Sequence, residues 1–139
     1  MNGRARMADA ALLLGRVAMA ALFLPSGTAK LLSYRAFEAS LAAKGLPLPE
    51  LWAPLAVAAE AGGGLLLLVG AEVRWIALLM VAFVVMATAT THRYWEFADA
   101  ARRAQEVNFY KNVGIIGGLL ALYVSGPGAL SWDGWRRRS

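Results

Sequence analysis

Arg16, Lys30, Glu60, His92, Lys111 and Asn112 are polar side chains set in or beside long apolar runs. Glu60 is the most exacting of them. It sits near the middle of LWAPLAVAAEAGGGLLLLVG, residues 51–70. A helix rises 1.5 Å per residue, so this run spans about 30 Å, the hydrocarbon thickness of a bilayer. An ionised acid at that depth costs roughly 2.5–3.5 kcal/mol. Glu60 must therefore face other helices and find a partner. Held by a cation, it is a carboxylate; alone in an apolar pocket, it is a neutral acid able to transfer a proton. The sequence leaves both states open. Arg16 is expected to reach toward Glu60 from one side of the membrane, and Lys30 from the other. His92 adds a group that exchanges protons near neutral pH. Glu60 and His92 are therefore the candidate catalytic pair. Arg16, Lys30, Lys111 and Asn112 are candidate substrate-binding residues.

These residues require helices to position them. Residues 10–30 read as a first span, retained rather than cleaved, because the run is longer than the apolar core of a signal peptide. Arg16, Ala20, Phe23, Gly27 and Lys30 recur at 4,3,4,3 spacing and share one face. Pro25 is expected to kink this helix, with Ser26 or Thr28 satisfying the freed carbonyl. Spans follow at 51–70, 75–92 and 107–125. Tyr34, Phe37 and Leu41 fit an amphipathic interfacial helix in the first long connector, although a solvated loop fits equally well. Residues 93–106 read as a second connector, anchored at headgroup level by Tyr94, Trp95 and Phe97. Gly63, Gly64, Gly114 and Gly118, with Gly117 beside them, read as helix-contact positions. The fold class is all-α: one transmembrane domain over residues 1–139, an up-down four-helix bundle.

Composition agrees and excludes. Of the 139 residues, 59% are hydrophobic, against the 45–50% usual in soluble domains. The chain carries no cysteine, so it has no thiolate for dithiol exchange or metal binding. It contains no HExxH, P-loop or GxGxxG sequence, and one histidine cannot give a haem two imidazole ligands. No protein-bound metal or flavin is inferred. The net charge of +5 lies mostly at the ends of apolar runs, a membrane pattern rather than a nucleic-acid one. Arg4, Arg6, Arg74 and Arg136–Arg138 face one side, and Arg35, Lys44, Arg93, Arg102 and Arg103 the other. The clustered tail arginines favour cytoplasmic termini.

GRVAMAALFLPSGTAKL, KGLPLPE, EAGGGLLLLVG, THRYWEF and KNVGIIGGLLALYVSGPGALSWD occur in an order that resembles the DoxX family. The similarity runs from about Leu14 to Asp133. The resemblance implies a four-helix protein of the bacterial cytoplasmic (inner) membrane. It also implies association with quinone-dependent redox chemistry, of the kind served by a subunit of thiosulfate:quinone oxidoreductase. The family pattern falls on Gly15, Arg16, Gly27, Lys30, Gly45, Glu60, Gly63, Gly64, His92, Lys111, Asn112, Gly117, Gly118 and Gly126–Gly128.

Three functions compete at this point. One is a redox-associated subunit that binds a quinone between helices and works with a partner oxidoreductase. The second is a non-catalytic scaffold or assembly factor, packing on other membrane subunits or on its own copies. The third is a small proton-coupled carrier. The bilayer is a partner in all three, and nucleic acid in none.

Overall fold

The computed structural model describes residues 3–139; Met1 and Asn2, which open the basic N-terminal stretch, lie outside the described residues. Among the described residues, four segments are long and apolar enough to cross a membrane, in up-and-down order. The first is α1, Gly3–Leu32. Its buried residues are Arg16, Ala20, Phe23 and Gly27, the stripe expected from the spacing. The helix runs uninterrupted through Pro25.

Helix α2, Tyr34–Ala43, follows at once and buries Leu41. The first connector is therefore helical and not a loop. Gly45 then takes φ +75°, and Pro47 and Pro49 keep the chain from continuing α2. The second span has three parts: α3, Pro49–Val57; a π-helical turn, Ala58–Gly62; and α4, Gly63–Val69. Gly70, at φ +77°, ends α4 in the left-handed conformation that glycine adopts without strain. Helix α5, Val73–Thr91, is the third span. A short 3₁₀ turn, Tyr94–Glu96, leads to α6, Asp99–Ser125, and the tail forms α7, Trp132–Arg136.

Helix α6 corrects the expected second connector. Residues 99–106 are charged, but they are mostly Ala, Arg, Gln and Glu, all strong helix formers. They extend the fourth helix by more than two turns ahead of residue 107. The connector shrinks to the residues around the 3₁₀ turn.

Phe23, Leu67, Val73, Ala77, Met80, Val84, Leu119 and Leu122 make the core. Lipid tails are as apolar as these side chains, so close packing must hold the helices together. A Cβ on Gly63 would lie 2.9 Å from Met80 Sδ, and one on Gly64 3.1 Å from Leu24 Cγ. On Gly118 it would press on Met19 Cε. Gly114 and Gly117 do not act as expected, for a Cβ on either meets nothing within 4 Å. Helix α6 turns Asn112, Leu119 and Leu122 inward. At ~100° per residue, positions 114 and 117 then fall on its outer side.

Candidate functional site: a cavity beside a buried ion pair

Gly27 sets the site. A Cβ there would meet the backbone nitrogen of Ala61 and lie 2.9 Å from Glu60 C. Only glycine lets α1 rest on the backbone of the π turn. That turn carries an extra residue, and such turns recur at functional positions in helices. Lys30 lies one turn beyond Gly27, and the contact brings its amine onto the Glu60 carboxylate. Lys30 Nζ donates to Glu60 Oε1 at 2.6 Å and to Oε2 at 2.7 Å. Its third hydrogen goes to Ser26 Oγ at 3.1 Å. The ammonium also stands 5.4 Å from the centre of the Phe37 ring on α2, a cation–π contact. Glu60 is buried, while the Lys30 side chain keeps 27% of its exposure.

The pair forms part of the wall of a cavity of about 1060 Å³. Its apolar surface includes Leu22, Phe83, Met86 and Ile115, with Phe37 and Trp52 as aromatic walls. His92, Lys111 and Asn112 line it too. The structure thus brings together five of the residues picked from the sequence, from four different helical segments. His92 Nδ1 lies 2.7 Å from Gln105 Oε1 on α6. That oxygen can only accept, so in this arrangement Nδ1 donates, and in the neutral ring Nε2 is then the acceptor. Asn112 Nδ2 donates to Thr88 Oγ1 at 2.9 Å, and Thr88 donates to Val84 O at 2.6 Å. Asn112 keeps its carbonyl oxygen as an acceptor. Lys111 donates to Asn108 Oδ1 at 2.9 Å.

Arg16 is elsewhere, and this corrects the expected Arg16–Glu60 contact. The first two spans run antiparallel. Lys30 therefore meets Glu60, and Arg16, about 21 Å back along α1, meets the far end of α4. Arg16 is fully buried. It donates to Leu67 O and Leu68 O at 3.5 Å, and to Leu130 O. Its Nε has no hydrogen-bond partner among the described residues. It lines neither the cavity nor any surface near His92, so it is not a ligand-binding residue there.

Nothing in the sequence marks Gln105 or Phe37 as part of the site. Gln105 lies in the segment read as connector. Phe37 was placed on the apolar face of α2, where helical spacing showed a side but not what covered it.

Residues 11–93 match the family model described as DoxX. Residues 59–138 match the SURF4 family model. The chain is 33% identical over 122 residues to the inner membrane protein YphA of Escherichia coli K12, covering 88% of this chain and 87% of that protein. It is 32% identical over 128 residues to the inner membrane protein YqjF of the same organism, covering 92% of this chain and 93% of that protein. No solved structure matches it.

Proposed function

The chain belongs to the DoxX family of integral membrane proteins, and from that premise we propose that it is a redox-associated subunit of the bacterial inner membrane. In this reading the cavity takes a quinone-type ring, and the protein works with a partner oxidoreductase. The observation that carries the reading is the cavity itself. It joins apolar walls wide enough for a ring to a buried carboxylate, an imidazole and an amide. A bound quinone would supply two-electron, two-proton chemistry, with its electrons exchanged with the partner.

The side chains have separate parts in this proposal. Lys30 anchors both oxygens of Glu60, with all three ammonium hydrogens committed. His92, oriented by Gln105, presents Nε2 to a ligand hydroxyl and passes a proton onward. Asn112 accepts a hydrogen bond at the inner wall. Lys111, exposed at the rim, attracts an anionic substrate or partner surface. A ligand that hydrogen-bonds Glu60 competes with Lys30 and opens the pair.

Mass spectrometry after mild-detergent extraction tests this. Wild-type protein is expected to retain quinone, and Glu60→Gln and His92→Ala to lose it. Wild-type protein without quinone, from a quinone-replete membrane, would reject the reading.

The closed Lys30–Glu60 pair also suits a second reading, a scaffold in which the pair is a structural lock. A Lys30→Met, Glu60→Leu double variant separates the two. A scaffold keeps its partner complex when the lock becomes apolar, whereas a quinone site loses its ligand. We further propose cytoplasmic termini. In single-cysteine variants of intact cells, Ala98→Cys is expected to label from outside and Ser139→Cys only after permeabilisation; the opposite pattern reverses the orientation.

A further inference from the structure

Far from the cavity, the tail folds back on the start of α5. Glu72, Arg74, Trp75, Pro127, Asp133, Arg136 and Arg137 enclose a groove of about 190 Å³ there. Its acids are already engaged. Asp133 accepts from Glu72 N at 3.0 Å and Val73 N at 3.3 Å, capping α5. Glu72 pairs with Arg136 at 3.2 Å. Among the described residues, the Arg74 side chain gives a single hydrogen bond, to Tyr123 O. Arg137 makes no side-chain hydrogen bond or ion pair among the described residues. A guanidinium has five N–H donors, so most of those lining the groove remain available. The level of the groove is marked by tryptophan: Trp75 beside it and Trp132 and Trp135 on α7 are all exposed. Below Trp75, one turn further along α5, Leu78 and Leu79 are exposed on the same side.

We propose that this groove binds the phosphate of an anionic phospholipid. Arg74, Arg136 and Arg137 hold the phosphate, and an acyl chain lies along Trp75, Leu78 and Leu79. The uncommitted guanidinium hydrogens call for an oxyanion. The tryptophan level and the apolar track beneath it call for a lipid rather than a free ion. This inference is independent of any ligand in the cavity.

Native mass spectrometry of the full chain, taken from mixed phosphatidylglycerol and phosphatidylcholine bilayers, is the test. Wild-type protein is expected to retain phosphatidylglycerol preferentially. Arg137→Gln, which breaks no side-chain contact among the described residues, should lower that preference about fivefold. Arg74→Gln with Arg137→Gln should lower it further. Arg4→Gln with Arg6→Gln removes charge from the same end outside the groove and should leave the preference unchanged. An equal loss in that control would mean diffuse attraction and overturn the proposal. So would an unchanged Arg137→Gln, or displacement of the lipid by millimolar inorganic phosphate.

Discussion

The two ends of the bundle treat a cation on the inward stripe of α1 in opposite ways. Arg16 and Lys30 lie on the same stripe of α1. Arg16 is fully buried and bonds only backbone carbonyls. Two of these belong to the last turn of α4, where Leu67 O otherwise accepts only a 3.2 Å bond from Gly70 N and the macrodipole is negative. The third belongs to the tail. A planar guanidinium with several donors can tie all three together and fix the tail to the bundle. Asp9 adds to the tie by accepting from Ala129 N at 2.6 Å. Lys30 instead keeps some exposure, bonds a single carboxylate and borders open space. One end is closed by charges that have no room to move. The other holds its charges where a ligand could compete for them. Burial of an ionisable group in the membrane therefore does not by itself mark a reacting group; what matters is whether the group borders a space.

The comparison breaks most easily at Arg16. Arg16→Leu takes the side-chain donor from the carbonyls of Leu68 and Leu130 and leaves Leu67 O with only its bond from Gly70 N. It should cost about 3–5 kcal/mol, as for other buried charged hydrogen-bond networks. Denaturant titration in mild detergent measures the loss, and the tail's Trp132 and Trp135 should become more solvated in fluorescence. Quinone retention per folded molecule should not change. A stability loss no larger than that of Glu60→Gln would remove the distinction between the two ends.

Glu60→Gln should cost less, about 1–3 kcal/mol, because Lys30 borders the cavity and can be partly rehydrated there. The Lys30→Met, Glu60→Leu double variant should recover most of this loss. A Glu60→Gln protein with unchanged stability would mean that the pair contributes little in the membrane. Gly27→Ala probes the same joint from the backbone. Its Cβ meets Ala61 and Glu60 backbone atoms that cannot turn aside. We expect a loss of about 1–3 kcal/mol and weaker quinone retention, since α1 must lift Lys30 away. Loss of stability with normal retention would separate the helix contact from the site.

Much of this was legible in the residues. The 4,3,4,3 spacing from Arg16 to Lys30 fixed the inward face of α1, because helical period alone decides which side a residue faces. Period does not decide what lies opposite. Arg16 was matched to the wrong partner because its true partners are backbone atoms, one of them on a tail that returns over the bundle. Gly114 and Gly117 were misplaced for the same reason: spacing grouped them with Gly118, but the inward direction of α6 is set by Asn112 and Leu119. The π turn at Glu60 left no mark in the sequence. Residues 99–106 were hidden by their charge, which masks good helix formers, and Gln105 was hidden with them.

The smallest expected effect concerns Gln105, and it sharpens what the cavity end needs. Gln105 Oε1 lies against His92 Nδ1 and favours the neutral tautomer that carries its proton there, with Nε2 as the acceptor. Gln105→Leu should shift stability by no more than about 0.5 kcal/mol, since both residues are only partly buried. Its effect should be on the imidazole. The chain has a single histidine, so its two ring ¹⁵N resonances need no residue assignment, and their couplings to the ring carbon-bound hydrogens tell Nδ1 from Nε2. Wild-type protein should show the proton on Nδ1, and Gln105→Leu a mixture of the two neutral forms. Quinone retention should fall in the same variant, less than in His92→Ala. An unchanged tautomer would show that Gln105 does not orient the ring. A changed tautomer with full quinone retention would leave the imidazole as a lining group with no part in holding the ligand.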